Sequence, residues 1–104
     1  MVIVLRSKDL MRRVRLSSAW KNAGHQVVDE PGVEDVNLIV VDLSYPNAME
    51  QIKQDRLEHP QIKLLAFGPH TNQAALDSAS SAGAHKAISQ GTIVKHVLGL
   101  AQGE

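Results

Sequence analysis

The chain has 104 residues and a formal net charge of zero, with 43% apolar and 21% charged residues, which fits one globular domain over residues 1–104 rather than a disordered segment. It contains no cysteine, which excludes disulfides, thiolate metal sites and cysteine nucleophiles. Its longest apolar runs, about five residues, are too short for a transmembrane helix, and no basic, long apolar leader opens the chain, so a cytoplasmic protein with no membrane partner is expected.

In chain order, residues 1–5 (MVIVL) form a short β-branched run that reads as the first strand, ended by Arg6 and Ser7. Residues 9–23 read as a helix, with Leu10, Val14, Leu16, Ala19, Trp20 and Ala23 near a 3.6-residue period and Gly24 just past its end. Arg12, Arg13 and Arg15 spread over its remaining faces. Residues 25–28 make a short second strand. The stretch 29–37 holds Pro31, Gly32 and four acids, which is turn chemistry with space for one helical turn at most.

Residues 38–41 (LIVV) then run straight into Asp42, an unbroken apolar segment of the kind found in parallel strands covered on both faces. Pro46 prevents the strand from continuing. Asn47 reads as an N-cap with Glu50 as its capping-box partner, and the helix should reach about His59 before Pro60 stops it. Residues 62–67 form another apolar strand, broken by Gly68-Pro69. Residues 73–82 read as an Ala- and Ser-rich helix closed by Gly83, residues 84–89 as a weak last strand, and residues 92–101 as a final helix. In that helix Ile93, Val97 and Leu100 form one apolar stripe and Val94 and Leu98 a flanking one.

Strand and helix alternate except between the second and third strands. The predicted fold is therefore α/β: a doubly wound, parallel five-stranded sheet in the order 2-1-3-4-5, with helices on both faces and the second helix truncated to a turn or lost. Charge is unevenly divided along this plan. Residues 1–24 carry six Lys or Arg against one acid, and the remainder carries five against ten. Such a split reads either as a surface for nucleic acid or an acidic partner, or as an ordinary solvated helix face.

Two segments carry a family resemblance. LIVVDLSYP, with Asp42 at a strand end and Pro46 four residues on, resembles the phosphoacceptor strand of response-regulator receiver domains. SAGAHKAISQG resembles the segment in which Ala-Gly-Ala precedes the fifth strand of that family. The resemblance covers nearly the whole chain and implies the flavodoxin-like receiver fold. It also shows what has been lost. Where a working receiver carries an acidic pair to hold Mg²⁺, this chain has Arg6 and Ser7. The family's hydroxyl residue after the fourth strand falls at Gly68, and its Lys-Pro after the fifth at Gln90-Gly91. Asp42 alone remains of the five phosphorylation residues.

That pattern implies a pseudo-receiver: no catalysis, no cofactor, no bound metal, and a signalling role exercised through protein contact without phosphorylation. Strands one and three are neighbours, so Arg6 is expected to take the place of the metal and clamp Asp42, unless Arg6 simply extends to solvent and Asp42 is only a strand-end acid. His70, on the loop after the fourth strand, is a candidate switch or else an ordinary exposed histidine. The other histidines are scattered without ligand spacing, Ser44 lies in no nucleophile elbow, and no GxGxxG phosphate loop is present.

In the family the fourth helix, fifth strand and fifth helix form the usual contact face. Here these are residues 73–101, and a protein partner there includes a second copy of the chain. The alternative is a ligand- or nucleic-acid-binding module that uses an Arg6–Asp42 crevice or a basic face of Arg12, Arg13, Arg15 and Lys21 on the first helix. A true phospho-receiver at Asp42 is the third reading.

Overall fold

The computed structural model describes residues 1–32 and 35–102. Nine elements follow one another: β1 (Val2–Arg6), α1 (Leu10–Asn22), β2 (Gln26–Val28), β3 (Leu38–Asp42), α2 (Ala48–Glu58), β4 (Lys63–Gly68), α3 (Gln73–Ala82), β5 (Lys86–Ser89) and α4 (Ile93–Ala101). The strands form one parallel sheet in the order β2-β1-β3-β4-β5, as expected. No helix lies between β2 and β3 among the described residues, because about nine residues rich in Pro, Gly and acids are too few for a crossover helix. No helix among the described residues is long and apolar enough to cross a membrane.

Both faces of the sheet are buried, and side-chain alternation decides which residue meets which layer. Ile3, Leu5, Leu38, Val40, Leu65 and Phe67 join Leu16 and Trp20 of α1 and Ile93 and Val97 of α4 on one face. Val4, Ile39, Val41, Leu64 and Ala66 join Ala48 and Ile52 of α2 and Ala79 of α3 on the other. The register sets Leu5 beside Val40 and Arg6 beside Val41. Ser7 therefore comes next to Asp42.

One local expectation needed correction. Asn47 does not cap α2 with its side chain: it takes the left-handed conformation (φ 55°, ψ 41°) and makes no side-chain cap hydrogen bond. A capping side chain needs an extended backbone at that position, whereas Asn47 serves here as one of the few residue types that tolerate left-handed geometry. In α1, Leu10 and Val14 are not core residues: they are 73% and 56% exposed, and Met11 is 84% exposed. Only Leu16 and Trp20 of that helix are fully buried, since the helix leans on the sheet through its C-terminal half.

Candidate functional site

The carboxyl ends of β1 and β3 carry two separate charged clusters, one on each side of the sheet. On the α1 side, Asp42 is 1% exposed and both its oxygens are fully occupied. Oδ1 accepts from the Ser44 amide at 2.9 Å and from the Ser44 hydroxyl at 2.8 Å. Oδ2 accepts from the Ser7 hydroxyl at 2.8 Å and from the Arg12 guanidinium at 2.7 Å. Burial pushes this carboxyl up, but the bonds from Ser44, Arg12 and Ser7 outweigh it, so Asp42 titrates below the ordinary carboxylate range. Asp9 prepares the arginine: it caps α1 by accepting from the Arg12 amide, and its carboxylate lies 3.8 Å from the same guanidinium.

On the α2 side sits Arg6, which does not reach Asp42. It shares its side of the strand with Val4 and so faces α2. There Nε and Nη2 form a two-pronged pair with Asp55 at 2.8 and 2.9 Å. The exposures are 4% for Arg6 and 1% for Asp55, and Gln51 donates a further bond to Asp55 at 3.0 Å. Arg6 Nη1 remains and meets Glu30 at 3.0 Å. Burial lowers the arginine's hold on its proton, but Asp55 and Glu30 reverse that and leave it raised above its ordinary value. The expected clamp on Asp42 thus exists with another arginine. Two-residue alternation puts Arg6 in phase with Val41 and Ser7 in phase with Asp42, so an Arg6–Asp42 pair would have to reach through the sheet.

The other predicted positions fall as follows. Gly68 is buried at the end of β4, and a Cβ there would stand 3.2 Å from Leu43 Cδ1, so a hydroxyl residue would have to push that leucine aside. Gln90 continues the ladder by donating its amide to the Gly68 carbonyl at 2.9 Å, and its side-chain oxygen is buried without a hydrogen-bond partner. Neither hydrogen-bonds to Asp42 among the described residues. His70 is exposed on the β4–α3 loop, away from the charged clusters' bonding.

Of the basic face, Arg12 turns in to Asp42, and Arg13 turns in to the carbonyls of Leu5 and Ser7 at 2.9 and 3.2 Å and pairs with Asp29. Arg15 and Lys21 remain exposed. Sequence reasoning missed Asp55, whose signal was an acid on a helix otherwise placed to cover the sheet, and it placed Arg12 on an outward basic face rather than against Asp42.

The donor set does not fit Mg²⁺. Every acceptor position of Asp42 is taken by a protein donor, a guanidinium stands 2.7 Å away, and the flanking residues that would supply oxygen ligands are Arg6 and Ser7. Among the described residues no group of three or more His, Asp or Glu side chains is arranged to hold a metal ion.

No family model matches the sequence, and no curated protein is similar to it at the sequence level. Solved structures match strongly in shape. A response regulator from Thermotoga maritima superposes with a TM-score of 0.76 at 15% identity, covering 97% of this chain and 93% of that one. The receiver domain of TorR, the response regulator of the TMAO respiratory system, gives 0.80 at 13% identity over 97% and 92%. A CheY-like receiver domain protein from Methanospirillum hungatei gives 0.79 at 16% identity over 97% and 90%. The fold is that of a response-regulator receiver domain. On this receiver fold the strand-end Asp42 occupies the crevice at the topological switch point, between β1 and β3.

Proposed function

We propose that the chain is a receiver-like signalling domain that is not an enzyme, acts without phosphorylation and works through protein contact. The observation that carries this reading is the saturation of Asp42. A carboxylate that already accepts four hydrogen bonds, one of them from an arginine, has no lone pair free to attack a phosphorus atom. Phosphoryl transfer also depends on a metal and a lysine to balance charge on the transferred oxygens, and Arg6, Ser7 and Gln90 stand at those positions. The internal ion pair in turn fixes the crevice in one arrangement, as phosphorylation would in an active receiver.

Contact as the output has support of its own. Among the described residues, three of the four large apolar side chains that are strongly exposed, Leu10, Met11 and Val14, cluster at the start of α1. A second contact surface is α3, where exposed Ala74, Ser78 and Ser81 leave a small-residue surface for a partner or a second copy. The nucleic-acid reading draws less support, because Arg12 and Arg13 spend their charge inside the molecule.

Treatment with an acyl-phosphate donor and Mg²⁺, read by intact mass, tests the proposal. The mass should not change. A gain of one phosphate that disappears in Asp42→Asn would overturn it.

A further inference from the structure

Beside the Asp42 cluster lies an open cleft of about 280 Å³, lined by Arg6, Ser7, Lys8, Arg13, Asp29, Glu30 and Tyr45 together with Leu5. Its two arginines are held from behind. Arg6 has two of its nitrogens on the buried Asp55, and Arg13 has Nη1 on the carbonyls of Leu5 and Ser7. Each presents one remaining nitrogen forward, Nη1 of Arg6 and Nη2 of Arg13. These two are met by consecutive residues of the loop after β2, Glu30 and Asp29. Both carboxylates are mostly in solvent, at 68% and 77% exposure, so the contacts they make are weak and easily exchanged.

We infer that this cleft is a binding site for a phosphate-bearing ligand, and that Asp29 and Glu30 occupy it as an internal stand-in for the ligand's anionic oxygens. The chemistry matches on three counts. Guanidinium groups fixed in advance are suited to planar, multi-pronged recognition of phosphate. With the two acids swung away, Arg6, Lys8 and Arg13 against the buried Asp55 leave two positive charges at the cleft, the complement of a phosphomonoester dianion. Lys8 lines the same cleft with its ammonium 5.7 Å from the centre of the Tyr45 ring. The site uses nitrogens of Arg6 and Arg13 that meet Glu30 and Asp29 and not Asp42, although its lining residue Ser7 donates to that carboxylate. It therefore survives or fails separately from the phosphorylation-independent reading above.

The test is a two-dimensional amide NMR titration of the whole chain with inorganic phosphate and with O-phosphoserine, at constant ionic strength, with chloride as the competing anion. Saturable shifts should centre on residues 5–8, 13, 29, 30 and 45. Asp29→Asn with Glu30→Gln removes the stand-in and should tighten phosphate binding about tenfold, equivalent to ~1.4 kcal/mol. Arg13→Gln should abolish binding, and the spectrum of the free variant reports that it is still folded. A stronger response to O-phosphoserine than to phosphate assigns the ligand to phosphorylated side chains or metabolites, and the reverse assigns it to the free ion. The inference is overturned by shifts that are linear in anion concentration and equal for chloride. It is equally overturned if the Asp29→Asn, Glu30→Gln variant binds no more tightly than the parent.

Discussion

At the scale of single residues, the question is which arginine holds Asp42. Arg12 and Asp42 share a 2.7 Å bond, whereas Arg6 and Asp42 share none. Arg12 is about one-fifth exposed, which places the pair between a buried and a surface ion pair. Urea unfolding of Arg12→Ala, Asp42→Asn and the double mutant should give a coupling energy on the order of 1–2 kcal/mol. The matching cycle with Arg6→Ala should give less than about 0.5 kcal/mol. Equal coupling in both cycles would remove the distinction.

The pH dependence follows from the same group. The folded carboxyl titrates below its unfolded value, so its stabilisation is complete above about pH 4 and is lost as pH falls through the depressed folded value. Chemical unfolding at a series of pH values should show a steeper acid loss for the parent than for Asp42→Asn. Parallel curves would mean that the bonds to Ser7, Ser44 and Arg12 do not govern the acid limb.

At the scale of elements, β1 and α2 are joined by charge as well as by apolar packing. Arg6 and Asp55 are both nearly solvent-free, so removing either leaves the other buried without its counter-charge. Arg6→Ala or Asp55→Ala should each cost about 3–5 kcal/mol, measured by denaturant unfolding. Replacing both with apolar residues of similar volume should cost much less, because such pairs add little net stability over a well-packed substitute. A loss below about 1 kcal/mol in Arg6→Ala would show that the pair is hydrated in solution. The helix expected over residues 9–23 is present as α1. Its apolar period is real, yet Leu16 and Trp20, with Ala19 partly buried, pack against the core, while Leu10, Met11 and Val14 are exposed.

At the scale of the molecule, the charge imbalance along the sequence folds back on itself. Cations of the first 24 residues meet acids from the rest of the chain: Arg6 with Glu30 and Asp55, Arg12 with Asp42, and Arg13 with Asp29. These pairs gather at the carboxyl edge of the sheet. Among the described residues, Arg15 and Lys21 stay exposed, as do Leu10, Met11 and Val14 at the start of α1.

The sequence alone determined the architecture, because patterns such as LIVVD and the Gly and Pro breaks are local and each admits few structures. It also determined which residues stand at the strand ends, Arg6, Ser7, Gly68 and Gln90, since that needs only their identities. Which charges meet was decided by the tertiary structure. Asn47 became a left-handed turn rather than a cap through the path of the chain out of β3. Arg6 went to Asp55 and Arg12 to Asp42 because strand phase, sheet register and the position of α1 against the sheet jointly fix where each long side chain ends. The sign and number of charges can be read along a chain, but ion pairing acts over a few ångströms between residues 30 or more apart, and only folding brings those together.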